Sequence, residues 1–480
     1  MLFNSIDFAI FLPIVFFLYW FVTQKNLKLQ NLLIIAASYL FYGWWDYRFL
    51  SLIVFSSLLD YSIGIGLSKY EDKTKRKALL LLSLFVNLGF LGFFKYYNFF
   101  LDNFVDAFSL FGKSISIQGL NIILPVGISF YTFQTLSYTI DVYRKKLEPT
   151  KDIVSFLAFV SFFPQLVAGP IERASNLLPQ FYKKRKFIYS NAIDGMRQIL
   201  WGLFKKVVVA DNCATFANQI FDNYPDQSAS TLVFGALFFT FQIYGDFSGY
   251  SDIAIGTSRL FGFNLMRNFA FPYFSRDIAE FWRRWHISLS TWFRDYVYIP
   301  LGGSKGGAAK KIRNVFVIFL VSGFWHGANW TFIIWGFLNA LYFLPVMLLK
   351  KNRVNTNNVA EGGLFPNFFE FRQIIFTFLL TMVAWVFFRA PTVTDALLYL
   401  KGLFSTSIFA VPDDLNNWLI TLAFIFTLVF VEWLQRDKEH ALELQSSNIS
   451  RSLRWSFYVI IFFSIFWYGG TQQDFIYFQF

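Results

Sequence analysis

Apolar stretches of roughly 15–20 residues recur along this chain and leave it few possible folds. Backbone groups inside a lipid core find no water, so only α-helices and closed β-barrels can satisfy them there. Barrel strands alternate apolar and polar residues over about 10 residues, whereas these stretches are apolar throughout. Charged residues make up only 15% of the chain, which is far below the share in soluble domains. The sequence therefore predicts an all-α polytopic membrane protein.

Basic residues cluster in short loops, and these loops are expected on the cytoplasmic side. The apolar stretches between them predict about 10–12 transmembrane helices, the first a retained helix over residues 1–20. The net charge of +12 indicates this topology and contact with anionic lipid headgroups, and it does not indicate nucleic acid. The single cysteine, Cys213, excludes an intramolecular disulfide and is expected to be a small buried residue.

One apolar segment, residues 153–170, has basic clusters on both sides, which a single crossing would place on opposite sides of the membrane. It also contains Pro164, Gly169 and Pro170, which break helices. We therefore predict a re-entrant segment. Such a backbone persists at membrane depth only where it is buried in protein or lines a cavity.

Two further segments also differ from a simple span. Residues 191–212 carry Lys205 and Lys206 at their centre, which predicts an interfacial amphipathic helix. Residues 231–263 are interrupted by a polar, glycine-containing stretch at 244–252, which predicts discontinuous helices around a cavity.

His326 lies in the motif Ser-Gly-Phe-Trp-His-Gly-Ala-Asn-Trp at 322–330, and the chain has only three histidines. Basic residues flank the surrounding hairpin, so both of its ends are expected inside. His326 follows Arg313 by 13 residues, which places it roughly 20 Å deep at about 1.5 Å per residue. An ionisable group at that depth indicates function, and histidine can move a proton near neutral pH. A core histidine that donates to a backbone carbonyl is an equally good interpretation of the local sequence.

A second histidine, His286, stands beside Arg283, Arg284 and Trp285. One interpretation is an interfacial helix, with tryptophan at the headgroups and arginine on phosphates. The other is that these residues line the mouth of a site for an anionic cytoplasmic substrate. The third histidine, His440, lies in a charged loop and is expected to be solvated.

Several other patterns carry less chemical information. The glycine-rich run at 302–307 lacks the spacing of a nucleotide-binding loop and is expected to be a flexible connection. Asp246 and Asp252 are compatible with an ion site or with hydrogen-bonded supports of a broken helix. Motifs of soluble-type hydrolases and of zinc sites do not occur in the sequence.

Taken together, these stretches resemble the membrane-bound O-acyltransferase family, most closely its alginate O-acetyltransferase branch, with D-alanyl transferases as more distant relatives. The resemblance covers most of the chain and is carried by residues 1–5, 162–171, 246–256, 281–296, 325–328, 385–390 and 475–480. It implies one membrane-embedded domain over residues 1–480. In this family a core of broken and re-entrant helices, here about 150–350, is surrounded by peripheral helices, here about 1–145 and 370–480.

The resemblance also implies a site. It makes His326 the catalytic histidine and His286 the second recurrent one. The residues expected to contact substrate are Arg283, Arg284, Trp285, Trp325, Asn329, Asp246 and Ser248. No metal and no bound cofactor are expected, since acetyl-CoA or another acyl thioester from the cytoplasm is the donor substrate. A neutral histidine shielded from water would act as general base toward an acceptor hydroxyl.

The same resemblance implies a multi-pass protein of the bacterial inner membrane, in contact with lipids. It also implies an extracytoplasmic SGNH-type acetyltransferase as partner, which completes transfer to a polysaccharide. Three alternatives remain open at this stage: D-alanyl transfer from a carrier protein, a transporter, and a non-catalytic scaffold. A transporter would often show related halves and paired acidic sites, and the sequence shows neither clearly.

Overall fold

A computed structural model describes residues 1–112, 117–167, 169–412, 414–444, 449–473 and 475–476. All regular elements in these ranges are helical, which confirms the predicted all-α class. The chain forms two compact units, Met1–Ala192 with Thr257–Leu265 and Ile193–Gly256 with Met266–Phe480. Ala168 and residues 477–480, which carry part of the family resemblance, lie outside the described residues.

The first unit contains the helices that open the chain. They are α1 (Ile6–Phe17), α2 (Leu27–Asp46), α3 (Leu50–Lys69), α4 (Lys73–Leu91), α5 (Tyr97–Leu110), α6 (Ile128–Tyr143), α7 (Ile153–Val160), α8 (Phe163–Leu166) and α9 (Ala174–Leu177). Asn26 begins α2 and Asp72 begins α4, and each side chain accepts hydrogen bonds from the first helical turn. Such caps satisfy amide groups that have no partner inside the helix.

The second unit contains the remaining helices. They are α10 (Tyr189–Leu203), α11 (Asp211–Asp222), α12 (Ala229–Leu260), α13 (Ile278–Arg284), α14 (Ile287–Phe293), α15 (Ala308–His326), α16 (Trp330–Leu348), α17 (Phe368–Arg389), α18 (Val393–Gly402), α19 (Leu415–Leu434) and α20 (Arg451–Trp467). The first residues of α10, up to Ala192, and the last residues of α12, from Thr257, belong to the first unit. Wider π-helical turns occur at Leu18–Val22, Gly92–Tyr96, Phe204–Ala210 and Arg294–Tyr298.

Five helical runs are long and apolar enough to cross a membrane within the described ranges. They are Leu27–Lys69, Lys73–Leu110, Trp330–Leu348, Phe368–Arg389 and Leu415–Leu434. The first two span 43 and 38 residues and each contains more than one helix. These runs confirm a multi-pass membrane protein. The number of 10–12 crossings stays a prediction.

A buried carboxylate joins three helices of the first unit. Asp60 of α3 is fully buried and accepts hydrogen bonds from Asn87 of α4 and from Thr139 of α6, both at 2.9 Å. Ser83 donates a further hydrogen bond from α4. Charged groups buried away from water must be hydrogen-bonded or paired. This cluster therefore fixes α3, α4 and α6 in one register.

The predicted break over residues 153–170 is present. Helix α7 ends at Val160, and the four-residue helix α8 follows with Pro164 in its first turn. Almost all of this segment is buried, as the irregular backbone requires. Whether it enters and leaves on the same side of the membrane stays a prediction.

The predicted interruption of residues 231–263 is wrong, because α12 runs without a break through its polar, glycine-containing stretch. Its glycines allow close packing instead. A Cβ atom on Gly249 would lie 2.8 Å from the carbonyl oxygen of Gly202 in α10, and one on Gly202 would lie 2.7 Å from the oxygen of Gly249. Small residues four apart, as at Gly245 and Gly249, commonly permit such helix contacts.

Lys205 and Lys206 do not lie on an exposed polar face, as the interfacial amphipathic helix predicted over residues 191–212 would suggest, and the place of that helix in the membrane stays a prediction. Both lysines lie in the π-helical segment Phe204–Ala210 and are buried. Lys205 forms an ion pair of 2.5 Å with Asp252, and Lys206 forms one of 2.7 Å with Asp246. A second carboxylate, Asp211, lies 2.8 Å from Lys206. The two aspartates of α12 are therefore partners of lysines rather than supports of a broken helix.

Three smaller predictions have clear outcomes. Cys213 is fully buried, as expected. Residues 302–307 form an irregular connection with positive φ at three glycines, and its expected flexibility stays a prediction. His440 is not solvated, because it is buried and its Nε2 lies 3.0 Å from a carboxylate oxygen of Asp194.

Candidate active site

His326 is the last residue of α15, and a tight helical hairpin holds it in place. Helices α15 and α16 approach so closely that a Cβ on Gly323 would collide with the carbonyl oxygen of Phe332. Asn329 begins α16, and its side chain accepts a hydrogen bond of 3.0 Å from the amide of Thr331. Because both helices are fixed at this end, the position of the His326 side chain is also fixed.

Aromatic rings surround the imidazole of His326. Ring centroids lie 4.8 Å away for Trp325, 5.1 Å for Trp335 and 5.3 Å for Phe388. The histidine itself is 3% exposed. Such packing excludes bulk water from the imidazole.

His286 begins α14 in the left-handed backbone region, with φ of 43°. Its Nδ1 lies 3.1 Å from Oδ1 of Asn268, which also accepts hydrogen bonds from the backbone N–H and the hydroxyl of Ser288. The backbone N–H can only donate, so the facing atom of Asn268 must be its oxygen. Nδ1 of His286 therefore carries the proton, and Nε2 presents a lone pair.

Nε2 of His286 is buried and has no hydrogen-bond partner among the described residues. Burial holds the pKa of His286 well below its usual value of 6.5, so the ring is neutral at neutral pH. The ring packs edge-on against Phe247 at 4.5 Å and lies 6.1 Å from the ring of Trp325. The two histidines thus flank one tryptophan.

A cavity of about 560 Å³ opens beside the α15–α16 hairpin. Apolar side chains form much of its wall, and Trp282, Leu289 and Ser322 are among its lining residues, whereas neither His326 nor His286 lines it. Ser322 stands four residues before His326 on α15, so the two side chains lie on the same face, one turn apart. The lining of the cavity therefore comes within about one helical turn of His326 at Ser322.

Four basic residues line the same cavity: Arg294, Lys311, Lys350 and Arg353. Arg294 pairs with the neighbouring Asp295 at 2.7 Å. The other three have no carboxylate within ion-pair distance in the described part of the chain. Their uncompensated charge favours an anionic ligand at the mouth.

Neither Arg283 nor Arg284 lines this cavity, and their place at a substrate mouth stays a prediction. Arg283 donates hydrogen bonds to the carbonyl oxygens of Asn352 and Asn355, and it does not line the cavity. Arg284 forms an ion pair of 2.9 Å with Glu280. The two arginines thus brace neighbouring segments, and the cavity takes its basic groups from other parts of the chain.

The remaining predicted contact residues are packed into the protein. The rings of Trp285 and Trp385 lie 5.0 Å apart, and the hydroxyl of Ser248 donates to the carbonyl oxygen of Tyr244 at 2.6 Å. Trp325 lies between the two histidines, and Asn329 donates to the carbonyl oxygen of Pro391 at 2.9 Å. Asp246 is paired with Lys206, as described above. Of this set, only Trp325 lies between the two histidines.

Comparison with known proteins shows which family this chain belongs to. Residues 145–388 match the model of the membrane-bound O-acyltransferase family. Over 431 residues the chain is 40% identical to the probable alginate O-acetylase AlgI of Pseudomonas putida, which covers 89% of this chain and 85% of that protein. The chain belongs to the membrane-bound O-acyltransferase family. It is therefore an O-acyltransferase.

Other relatives of this membrane-bound O-acyltransferase are named for the transfer of different acyl groups. A peptidoglycan O-acetyltransferase of Helicobacter pylori is 38% identical over 84% of this chain and 80% of its own length. A teichoic acid D-alanyltransferase of Streptococcus thermophilus is 30% identical over 49% of this chain and 60% of its own length. The O-acetyltransferase relatives thus match much more of the chain.

Sequence reasoning missed Asn268, which orients one of the two histidines in this O-acyltransferase. The residue is fully buried, and its Nδ2 donates to the hydroxyl of Ser251 at 2.9 Å. No sequence motif marks it, because its partner His286 lies 18 residues away along the chain, beyond α13. Among the described residues, no three His, Cys, Asp or Glu side chains group as a metal site would require.

Proposed function

We propose that this O-acyltransferase moves an acetyl group from a cytoplasmic thioester to hydroxyl groups of an extracytoplasmic polysaccharide. The observation that carries the proposal is the cavity that joins three uncompensated basic residues to the neighbourhood of His326. The names of the O-acetyltransferase relatives support acetyl as the acyl group.

The donor we propose is acetyl-CoA, whose phosphate groups suit a basic mouth. Lys311, Lys350 and Arg353 would contact those phosphates, and the apolar wall would hold the uncharged arm that ends in the thioester. The thioester carbon would then reach the region of Ser322, next to His326. No bound cofactor takes part in this scheme.

The chemistry follows from the two histidines. His326 takes the proton from the acceptor hydroxyl while the oxygen attacks the thioester carbonyl carbon. The tetrahedral intermediate then collapses as the carbon–sulfur bond breaks, and the proton passes from His326 to the departing thiolate. His286, which presents a lone pair at Nε2, accepts a hydrogen bond that orients a reacting group. General base catalysis of this kind contributes about 10²–10⁴-fold in rate.

The acceptor side is proposed from the family resemblance alone. The acceptor would be a hydroxyl group delivered from outside, either of the polysaccharide itself or of an extracytoplasmic SGNH-type acetyltransferase that completes the transfer. The protein would then lie in the bacterial inner membrane. The second candidate, D-alanyl transfer from a carrier protein, is favoured only by relatives that match about half of the chain.

The test is to measure ester groups on the surface polysaccharide of cells that lack the native gene. These cells receive the wild-type protein or His326→Gln, which keeps a polar side chain of similar size but cannot act as the base. Equal amounts of both proteins in the membrane are required. Loss of acetyl ester in the variant supports the proposal, and retained acetyl ester removes His326 from the chemistry. D-alanyl ester in place of acetyl ester would favour the second candidate.

A further inference from the structure

A second cavity, of about 400 Å³, lies in the first unit and has a strongly basic lining. Its basic residues are Lys183, Lys184, Arg185, Lys186 and Arg259, and no acidic residue of the described chain lines it. The three lysines are exposed at its rim, whereas Arg185 is 5% exposed. Concentrated charge of one sign in a concave site attracts the opposite charge.

Arg185 lies in this cavity without a carboxylate partner in the described part of the chain. Its Nη2 donates to the amide oxygen of Asn31 at 2.7 Å, and its guanidinium lies 4.8 Å from the ring centroid of Phe263. These neighbours are neutral, so they orient the guanidinium without cancelling its charge. A buried arginine held in this way is well suited to bind a phosphate.

The wall of this basic cavity is built from hydrogen-bonded segments. Trp20 donates from Nε1 to the carbonyl oxygen of Leu260 at 2.9 Å. Gln180 and Asn264 exchange two hydrogen bonds of 2.9 Å, one in each direction between side chain and backbone. All four residues line the cavity. The site is therefore formed before any ligand arrives, which lowers the entropic cost of binding.

The start of α10 adds a second anion-binding element. This helix has 15 residues, and its first backbone hydrogen bond runs from the N–H of Ala192 to the carbonyl oxygen of Ile188. The backbone N–H groups of residues 189–191 precede it and have no acceptor inside the helix. Asn191 lines the cavity. Amide groups at a helix start favour anions, because the helix dipole is positive there.

We propose that this cavity binds the phosphate group of an anionic ligand, either an anionic phospholipid headgroup or a soluble phosphate compound. The buried arginine and the start of α10 would contact the phosphate, and the rim lysines would attract it. Tryptophan, here Trp20, is enriched in the headgroup region of membranes, and lysine clusters bind anionic headgroups there. All residues of this site belong to the first unit, so the proposal does not depend on the transfer chemistry.

The experiment measures thermal unfolding of the full-length protein in detergent against three probes. They are phosphatidylglycerol, phosphatidylcholine and inorganic phosphate, the last matched in ionic strength by sodium chloride. A ligand that binds only the folded state raises the unfolding midpoint. A rise with phosphatidylglycerol alone identifies the lipid source, whereas a rise with inorganic phosphate identifies the soluble source. No rise with either probe overturns the proposal.

Two variants test the location. Lys184→Gln with Lys186→Gln should raise the half-saturating ligand concentration about 30-fold, since each basic group contributes about 1 kcal/mol. Asn191→Asp places a carboxylate in the first turn of α10, which suits the helix but repels the ligand. The control is Lys73→Gln with Lys77→Gln, which removes the same charge from an exposed region outside the cavity. Equal binding by the wild type, the two double variants and Asn191→Asp overturns the proposal. If Lys184→Gln with Lys186→Gln does not fold, the comparison of Asn191→Asp with the wild type decides.

Discussion

Replacing Asn268 with alanine tests how far one side-chain amide supports the active site. Its Oδ1 accepts from Nδ1 of His286 and from both the amide and the hydroxyl of Ser288. All of these groups are buried. Each buried donor left without an acceptor costs about 1–3 kcal/mol, so the variant should lose about 3–9 kcal/mol of unfolding free energy. That loss is comparable with the whole stability of a typical domain, about 5–15 kcal/mol.

Two other variants make this result interpretable. Ser251→Ala removes only the partner of Asn268 Nδ2, so it should cost about 1–3 kcal/mol, a third of the larger loss. Asn268→Asp keeps an acceptor opposite His286 and should fold. Denaturant unfolding of the detergent-solubilised proteins gives the free energies, and a transfer assay gives the activities. A loss in Asn268→Ala no larger than that in Ser251→Ala would refute the shared-acceptor argument and the histidine tautomer drawn from it.

Three further predictions follow from the site, from one pKa and from the first unit. Replacing Lys350 and Arg353 together with glutamine should raise the donor KM roughly tenfold and leave kcat nearly unchanged. The increase in KM should become smaller as salt is added, because salt screens the charges. A KM that does not depend on salt would count against a basic binding site for the donor. Burial lowers the pKa of His286 below 6.5. The neutral ring therefore contributes fully to the unfolding free energy above pH 6.5, and this contribution is lost as the pH falls below 6.5. The loss amounts to at most about 1.4 kcal/mol for each pH unit. Unfolding measured between pH 5.5 and 7.5 should show a shallower pH dependence in His286→Gln than in the wild type, and identical slopes would contradict the assignment. Asp60→Ala should destabilise far more than Asp60→Asn, because it leaves three buried donors without an acceptor; equal denaturation midpoints would rule this out.

Features that depend on local chemistry were predictable from the sequence. Long apolar runs dictate helices wherever backbone groups lack water, so the helical class and its multi-pass character follow directly. Proline acts on its own turn, so the break after Val160 was foreseen near Pro164. His326 stood out because an ionisable side chain is rare within apolar sequence. Its burial at the end of α15 agrees with that expectation, while its catalytic role stays a prediction.

Features that depend on distant partners were not predictable. A glycine pair four residues apart is compatible with a helix break or with close packing, and only the presence of Gly202 opposite Gly249 decides. Lys205 and Lys206 within one segment indicate a membrane interface from sequence alone. Their burial can be inferred only when the aspartates of α12 are known to pair with them. The basic lining of the cavity combines residues from the segment after α14, from α15 and from the segment after α16, so no single motif contains it.

The ion pairs between α12 and the segment Phe204–Ala210 have a consequence for synthesis of the chain. The ribosome makes Lys205 47 residues before Asp252, so the lysine exists for a time without this partner. A buried charge without its partner costs about 3–5 kcal/mol. We therefore expect the earlier segment to stay hydrated until α12 has emerged, and the two to be buried in one step. A nascent chain stalled between these positions should leave Lys205 open to amine-reactive labels, whereas the completed protein protects it.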